Sequence, residues 1–155
     1  MDRDLTELKD MILSEVNLAT WQPSEFIYEG IPCTSIVSVL EALRVNDSNT
    51  QKTICKKTAV AALRSVKPFI ARNGAVKNVY WQGSPYPRDS QQCADIHTRL
   101  FDAVFEQDET FRDNLLSTCG SELPPIVGNN SQAHSMICIA EIAAQLYRLR
   151  SAFES

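Results

Sequence analysis

The chain has 155 residues, 44% of them hydrophobic and 22% charged, with five glycines and seven prolines; this is the composition of one globular core over residues 1–155, not of a fibrous or disordered chain. Fifteen basic against nineteen acidic side chains leave a net charge of −4, which argues against general affinity for nucleic-acid backbone. No apolar run is long enough to span a membrane and the acidic start MDRDLTELKD does not read as a secretory signal, so a cytoplasmic location is expected.

Asp4 and Glu7 form a capping box ahead of Leu5, Leu8, Ile12 and Val16 at helical spacing, which predicts an opening helix over 4–16, ended by Trp21 and Pro23. Phe26 and Tyr28 alternate with polar neighbours up to Gly30 and predict one short strand and turn. Thr34 or Ser35 can cap a helix with Ile36, Val39, Leu40 and Leu43 on one stripe, broken at Asp47-Ser48-Asn49. A third helix is expected from about Thr50, with Ile54, Ala61, Ala62 and Val66 inward; Pro68 starts a shorter turn of helix that Asn73-Gly74 stops. Residues 79–87, aromatic and rich in turn formers, read as an ordered loop. Asp89 or Ser90 caps a helix to about Glu106 with Cys93, Ile96, Leu100 and Val104 on its core side, and Asp108 starts another that ends at Cys119-Gly120. Pro124-Pro125 stiffens the next segment, and Ser131 is expected to cap a final, central helix whose apolar residues run from Met136 to Leu149. The fold class expected is therefore mainly α, with one small β element.

Charge is segregated along the chain. Residues 48–88 hold Lys52, Lys56, Lys57, Arg64, Lys67, Arg72, Lys77 and Arg88 and no acidic residue, while the remainder is net −12. Such a region draws an anionic ligand, or it is a solvated face pairing with acidic neighbours; segregation alone leaves both open. The five cysteines are odd in number and scattered, and neither they nor His97 and His134 stand at metal-ligand spacing, so reduced thiols and no metal are expected. No phosphate loop, nucleophile elbow or zinc-protease motif is present. His97, between apolar residues, reads as a structural histidine.

One ordered set of short motifs stands out: Phe26-x-Tyr28-x-Gly30, Ser35 at a helix start, Val79-Tyr80-Trp81-Gln82-Gly83, Pro87-Arg88-Asp89-Ser90, Phe101-x-x-Val104-Phe105-Glu106-Gln107, Phe111-Arg112, Gly128 and Leu146-Tyr147-Arg148-Leu149-Arg150. Over about residues 25–150 this set resembles the NADAR, or YbiA-like, family, and the stand-alone size resembles phage-encoded proteins. The resemblance implies a compact helical domain that needs no cofactor, and an N-glycosidase acting on an ADP-ribosyl or related nucleotide-sugar bond to counter host ADP-ribosylation. Its ligand would be an anionic nucleotide-sugar or an ADP-ribosylated macromolecule, met in the host cytoplasm.

In that scheme Glu41 or Asp89 supplies the carboxylate that stabilises an oxocarbenium-like sugar. Trp81 stacks on a ring, Arg88 and the lysine-rich helix with Lys56 hold phosphates, and Tyr28, Arg44 and Gly128 complete the pocket. The position where the family carries its carboxylate is Val37 here, and Glu41 lies about 5 Å further along the helix. A second expectation follows: a relative without catalysis that binds such a ligand or a host protein. Each residue also has an ordinary alternative, with Glu41 and Arg44 as a surface pair, Trp81 in the core, Arg88 paired with an acid, and Asp89 a helix cap.

Overall fold

Phe26 and Tyr28 are buried and Ile27 between them is exposed, the alternation of a half-covered strand. This strand, β1 (Phe26–Tyr28), pairs antiparallel with β2 (Ile31–Cys33), Tyr28 opposite Ile31. Only Glu29 and Gly30 join them, with φ of 47° and 82°, the left-handed pair that lets a two-residue turn follow the strand twist. The computed structural model describes residues 22–123, 126 and 128–154; the helix expected over 4–16, Trp21, Pro124-Pro125 and Val127 lie outside them.

Ser35 caps α1 (Ile36–Ala42), its Oγ accepting from Ser38 N at 3.1 Å. All seven residues of α1 are buried, so it is a core helix on every side and not the amphipathic one that the Ile36, Val39, Leu40 and Leu43 stripe suggested.

The expected third helix is two helices, α2 (Ser48–Cys55) and α3 (Ala59–Ser65). The break has a local cause. The Lys57 carbonyl, which a continuous helix would give to Ala61 N, accepts instead from Ser38 Oγ at 2.7 Å and from Thr34 Oγ1. Ala61 N donates to Thr58 Oγ1 at 3.3 Å, so Thr58 caps a new helix. A 3-10 turn, Lys67–Phe69, follows with Pro68 inside it.

The segment expected as a loop is a second hairpin, β3 (Asn78–Trp81) and β4 (Ser84–Pro87), turned at Gln82 and Gly83 with φ of 50° and 87°. Pro85 and Pro87 spoke against a strand; β4 tolerates them because it is the outer member of a two-stranded ribbon. Gln51 ties this hairpin to the helices. Its Nε2 donates to Ala42 O (2.9 Å), Val45 O (3.1 Å) and Tyr80 O (2.7 Å), and its Oε1 accepts from Gln82 N (2.8 Å).

Ser90 and Asp108 cap α4 (Gln91–Gln107) and α5 (Glu109–Leu116) as the sequence predicts. The last helix is shorter than expected. Ser131 opens only a 3-10 turn, Gln132–His134, and α6 runs over Ile139–Glu154. Between them the carbonyls of Ser135 and Met136 accept from the side chains of Arg88 and His97, which holds this stretch out of a helical ladder. A continuous buried cluster links Phe26 and Tyr28, α1, β3, α4 and Leu146 and Leu149 of α6. The class is thus mainly helical α+β with two small hairpins.

Candidate functional site

Of the residues that the sequence nominated for catalysis and ligand contact, Trp81, Tyr28, Glu41 and Arg88 lie in the interior and Asp89, Lys56 and Gly128 on the surface. Trp81 is 6% exposed and stands against Tyr28, ring centroids 5.0 Å apart and tilted by 50°, an aromatic pair closing the core between the two hairpins. Tyr28 is buried, its hydroxyl directed to Ile96 O at 3.4 Å, and burial pushes its pKa well up. Neither ring offers a stacking face to a ligand. Glu41 is buried on α1, where Arg44 Nε donates to its Oε2 at 3.1 Å; the pair foreseen at the surface exists, inside the protein. Val37 is buried beside it. Asp89 is exposed and leaves the capping of α4 to Ser90, whose Oγ accepts from Cys93 N at 3.2 Å. Lys56 is exposed at the end of α2, and Gly128 is exposed with Ile139 Cγ1 3.4 Å from where a Cβ would sit.

Arg88 is the residue whose surroundings differ most from a phosphate clamp. It is 4% exposed, and its guanidinium takes Glu141 bidentately, with Nη1 donating to Oε2 at 3.0 Å and Nη2 to Oε1. Nε donates to Ser135 O at 2.7 Å, and Nη1 lies 3.7 Å from Cys93 Sγ. Burial raises the Glu141 carboxyl, but the Arg88 fork and the Cys138 N–H, donating to Oε1 at 2.9 Å, outweigh it and bring the pKa down to about 2. Burial acts against the Arg88 charge as well, and Glu141 more than restores it.

Beside this pair lie Cys93 and His97, one turn apart on α4, with Sγ and Nε2 4.0 Å apart. Their geometry does not make a thiolate. His97 Nε2 faces Met136 O at 2.8 Å and therefore carries the ring proton, so it has no lone pair for the thiol. Burial lowers the His97 pKa and raises that of Cys93, and both stay neutral near pH 7. Elsewhere the Cys33 and Cys55 thiols share a hydrogen bond that lowers the first and, with burial, raises the second. Sequence reasoning missed Glu141 as the partner of Arg88. A signal was there: it is the lone carboxylate between Ser131 and Leu149, in an apolar stretch.

A cavity of about 400 Å³ opens where the chain enters β1 and α5 begins, lined by Ser24, Glu25, Ile36, Asp108, Glu109 and Phe111 among others. It contains none of the nominated residues, and among the described residues its charged lining is acidic, with Ser24 Oγ donating to Asp108 Oδ2 at 2.6 Å. The cations of residues 48–88 have other settings: Lys52, Lys56, Arg64, Lys67, Arg72 and Lys77 are exposed, Lys57 Nζ donates to Ser65 Oγ at 2.7 Å, and Arg88 is internal. Among the described residues no group of three or more His, Cys, Asp or Glu side chains is placed to hold a metal, and no helix is long and apolar enough to cross a membrane.

Fold and site together define a mainly helical α+β protein whose ionisable interior is paired within the fold. Residues 13–151 match the family model described as bacteriophage protein GP30.3, and the chain belongs to that family. Searches among curated proteins and among solved structures give no match. The family match corrects the NADAR resemblance and bears out the phage association. The short motifs behind that resemblance mark the hairpins, helix caps and core packing of this fold: Gln82 and Gly83 make a turn, Ser90 a cap, and Trp81 and Phe101 fill the core.

Proposed function

We propose that this protein acts in phage–host interaction as a non-enzymatic binding protein, and that it engages an acidic protein surface through residues 67–73. One observation carries this reading. Every residue from Lys67 to Asn73 is exposed, and the run presents Phe69 at 49% and Ile70 at 41% exposure between the cations Lys67 and Arg72. Each is only about half exposed, so covering the pair is worth about 1.5–3 kcal/mol in total, and an aromatic anchor within a charged rim is the usual anatomy of a binding hot spot. Residues 48–88 contain no acidic residue, so the segment is net positive and an acidic partner gains both on-rate and orientation. The side chains that an N-glycosidase would need support the same reading, because Glu41, Trp81 and Arg88 serve the core and the Arg44 and Glu141 pairs.

The test is co-purification from phage-infected cells of the native chain and of a Phe69→Ser, Ile70→Ser variant, beside calorimetric titration with ADP-ribose. The reading expects a discrete protein partner, lost with the variant and weakened by salt, and no saturable heat from ADP-ribose. Saturable ADP-ribose binding, or release of ADP-ribose from a modified substrate, would overturn it.

A further inference from the structure

The chain itself carries a surface of the kind that residues 67–73 fit. The cavity at the start of α5 has an apolar wall, Ile36 and Phe111, beneath a rim made by Glu25, Asp108 and Glu109. Glu25 and Glu109 are exposed, and among the described residues no lysine or arginine lines the opening. The run has the opposite character at each point: Phe69 and Ile70 stand out from the surface, and Lys67 and Arg72 flank them. A cavity of about 400 Å³ lies within the range of sites that enclose small ligands. Charge is divided along the whole chain in the same sense, eight cations without an acid over residues 48–88 against a remainder at −12.

We propose that a second copy of this chain is a partner of residues 67–73, with Phe69 of one molecule seated in the Ile36 and Phe111 cavity of the next and Arg72 facing Glu25 and Glu109. This rests on the assignment of residues 67–73 as the binding face, and it adds which surface that face takes. The contact is head-to-tail, because the inserted run and the cavity are different surfaces of one molecule, so it closes into a ring or extends as a chain. The electrostatic part is exposed and screened by salt, whereas the insertion of Phe69 is not.

Sedimentation of the full chain against concentration and salt tests this, with two surface variants that leave the core untouched: Phe69→Ser removes the inserted side chain, and Glu25→Lys with Glu109→Lys reverses the rim. Each variant alone is expected to lose self-association by about thirtyfold or more, the size of a hot-spot truncation. Mixed together they regain it, but only as a 1:1 dimer, since one retains a working cavity and the other a working Phe69. A native chain that stays monomeric, or self-association that either variant leaves intact, overturns the proposal. If the native chain is monomeric but still captures a protein from infected cells in a Phe69-dependent way, the second copy is wrong and the binding face stands; if neither is seen, both fail.

Discussion

Replacing Glu141 by Gln tests whether the Arg88 cluster is part of the fold. The carboxylate holds a bidentate guanidinium that is 4% exposed and receives the Cys138 N–H as well. Its pKa, brought from 4.5 to about 2, corresponds to about 3 kcal/mol of stability at neutral pH. Removing one partner of a buried pair costs about 3–5 kcal/mol, because the other charge is left unpaired. The two figures agree, and for a chain of this length they place the fall in Tm on the order of 10 °C.

The pH dependence has a definite sign. The folded carboxyl binds its proton less readily than the unfolded one, so the increment is complete above pH 4.5 and is lost as pH falls toward 2. Urea unfolding followed by tryptophan fluorescence should show that acid-labile increment in the native chain and not in the variant. Asp102→Asn is the control, since its pair with Arg148, at 2.9 Å, is about 40% exposed on both sides and is worth under about 1 kcal/mol. A Glu141→Gln variant that loses less than about 1 kcal/mol, or keeps the native acid profile, would refute the assignment of Arg88 to the core.

Gln51→Leu removes four hydrogen bonds that join α1 to the second hairpin; with about 1–3 kcal/mol for each buried group left unsatisfied, a loss of at least about 3 kcal/mol is expected in urea titrations. Trp81→Ala should cost about 3–5 kcal/mol by leaving a hole beside Tyr28, whereas Trp81→Phe should cost under about 1.5 kcal/mol, since the indole Nε1 has no hydrogen-bond partner among the described residues; thermal unfolding distinguishes them. Of the five thiols, Cys119 is exposed and the other four are buried, so a thiol reagent should label one cysteine rapidly in the native protein and the rest only on unfolding.

The local part of this fold was legible in the sequence. Ser35, Ser90 and Asp108 cap the helices that their positions announced, because a capping hydroxyl or carboxylate acts within three residues of itself. What escaped was set at a distance. The break between α2 and α3 depends on Ser38 and Thr34 reaching the Lys57 carbonyl, 19 and 23 residues away. The late start of α6 depends on Arg88 and His97 occupying carbonyls 47 and 39 residues ahead. The second hairpin was hidden by Pro85 and Pro87, which count against a strand only where its N–H groups must pair on both edges.

For the site, residue type was informative and role was not. Arg88 and Glu41 are charged groups in a mostly apolar setting, but whether such a group meets a ligand or an internal partner is decided by pairing that spacing does not encode. Sequence reasoning passed over Phe69 and Ile70, an apolar pair between Lys67 and Arg72. Phe69 ends the 3-10 turn that holds Pro68, Ile70 follows it in extended backbone, and both are exposed.

The most direct test of the account is a photo-crosslinking amino acid placed at position 69, compared with one at position 89, which is also exposed, in cells infected with phage. A covalent protein adduct at 69 and none at 89 is the expected result. Equal adducts at both positions, or none at 69 while the protein binds or cleaves an ADP-ribosyl compound, would contradict it.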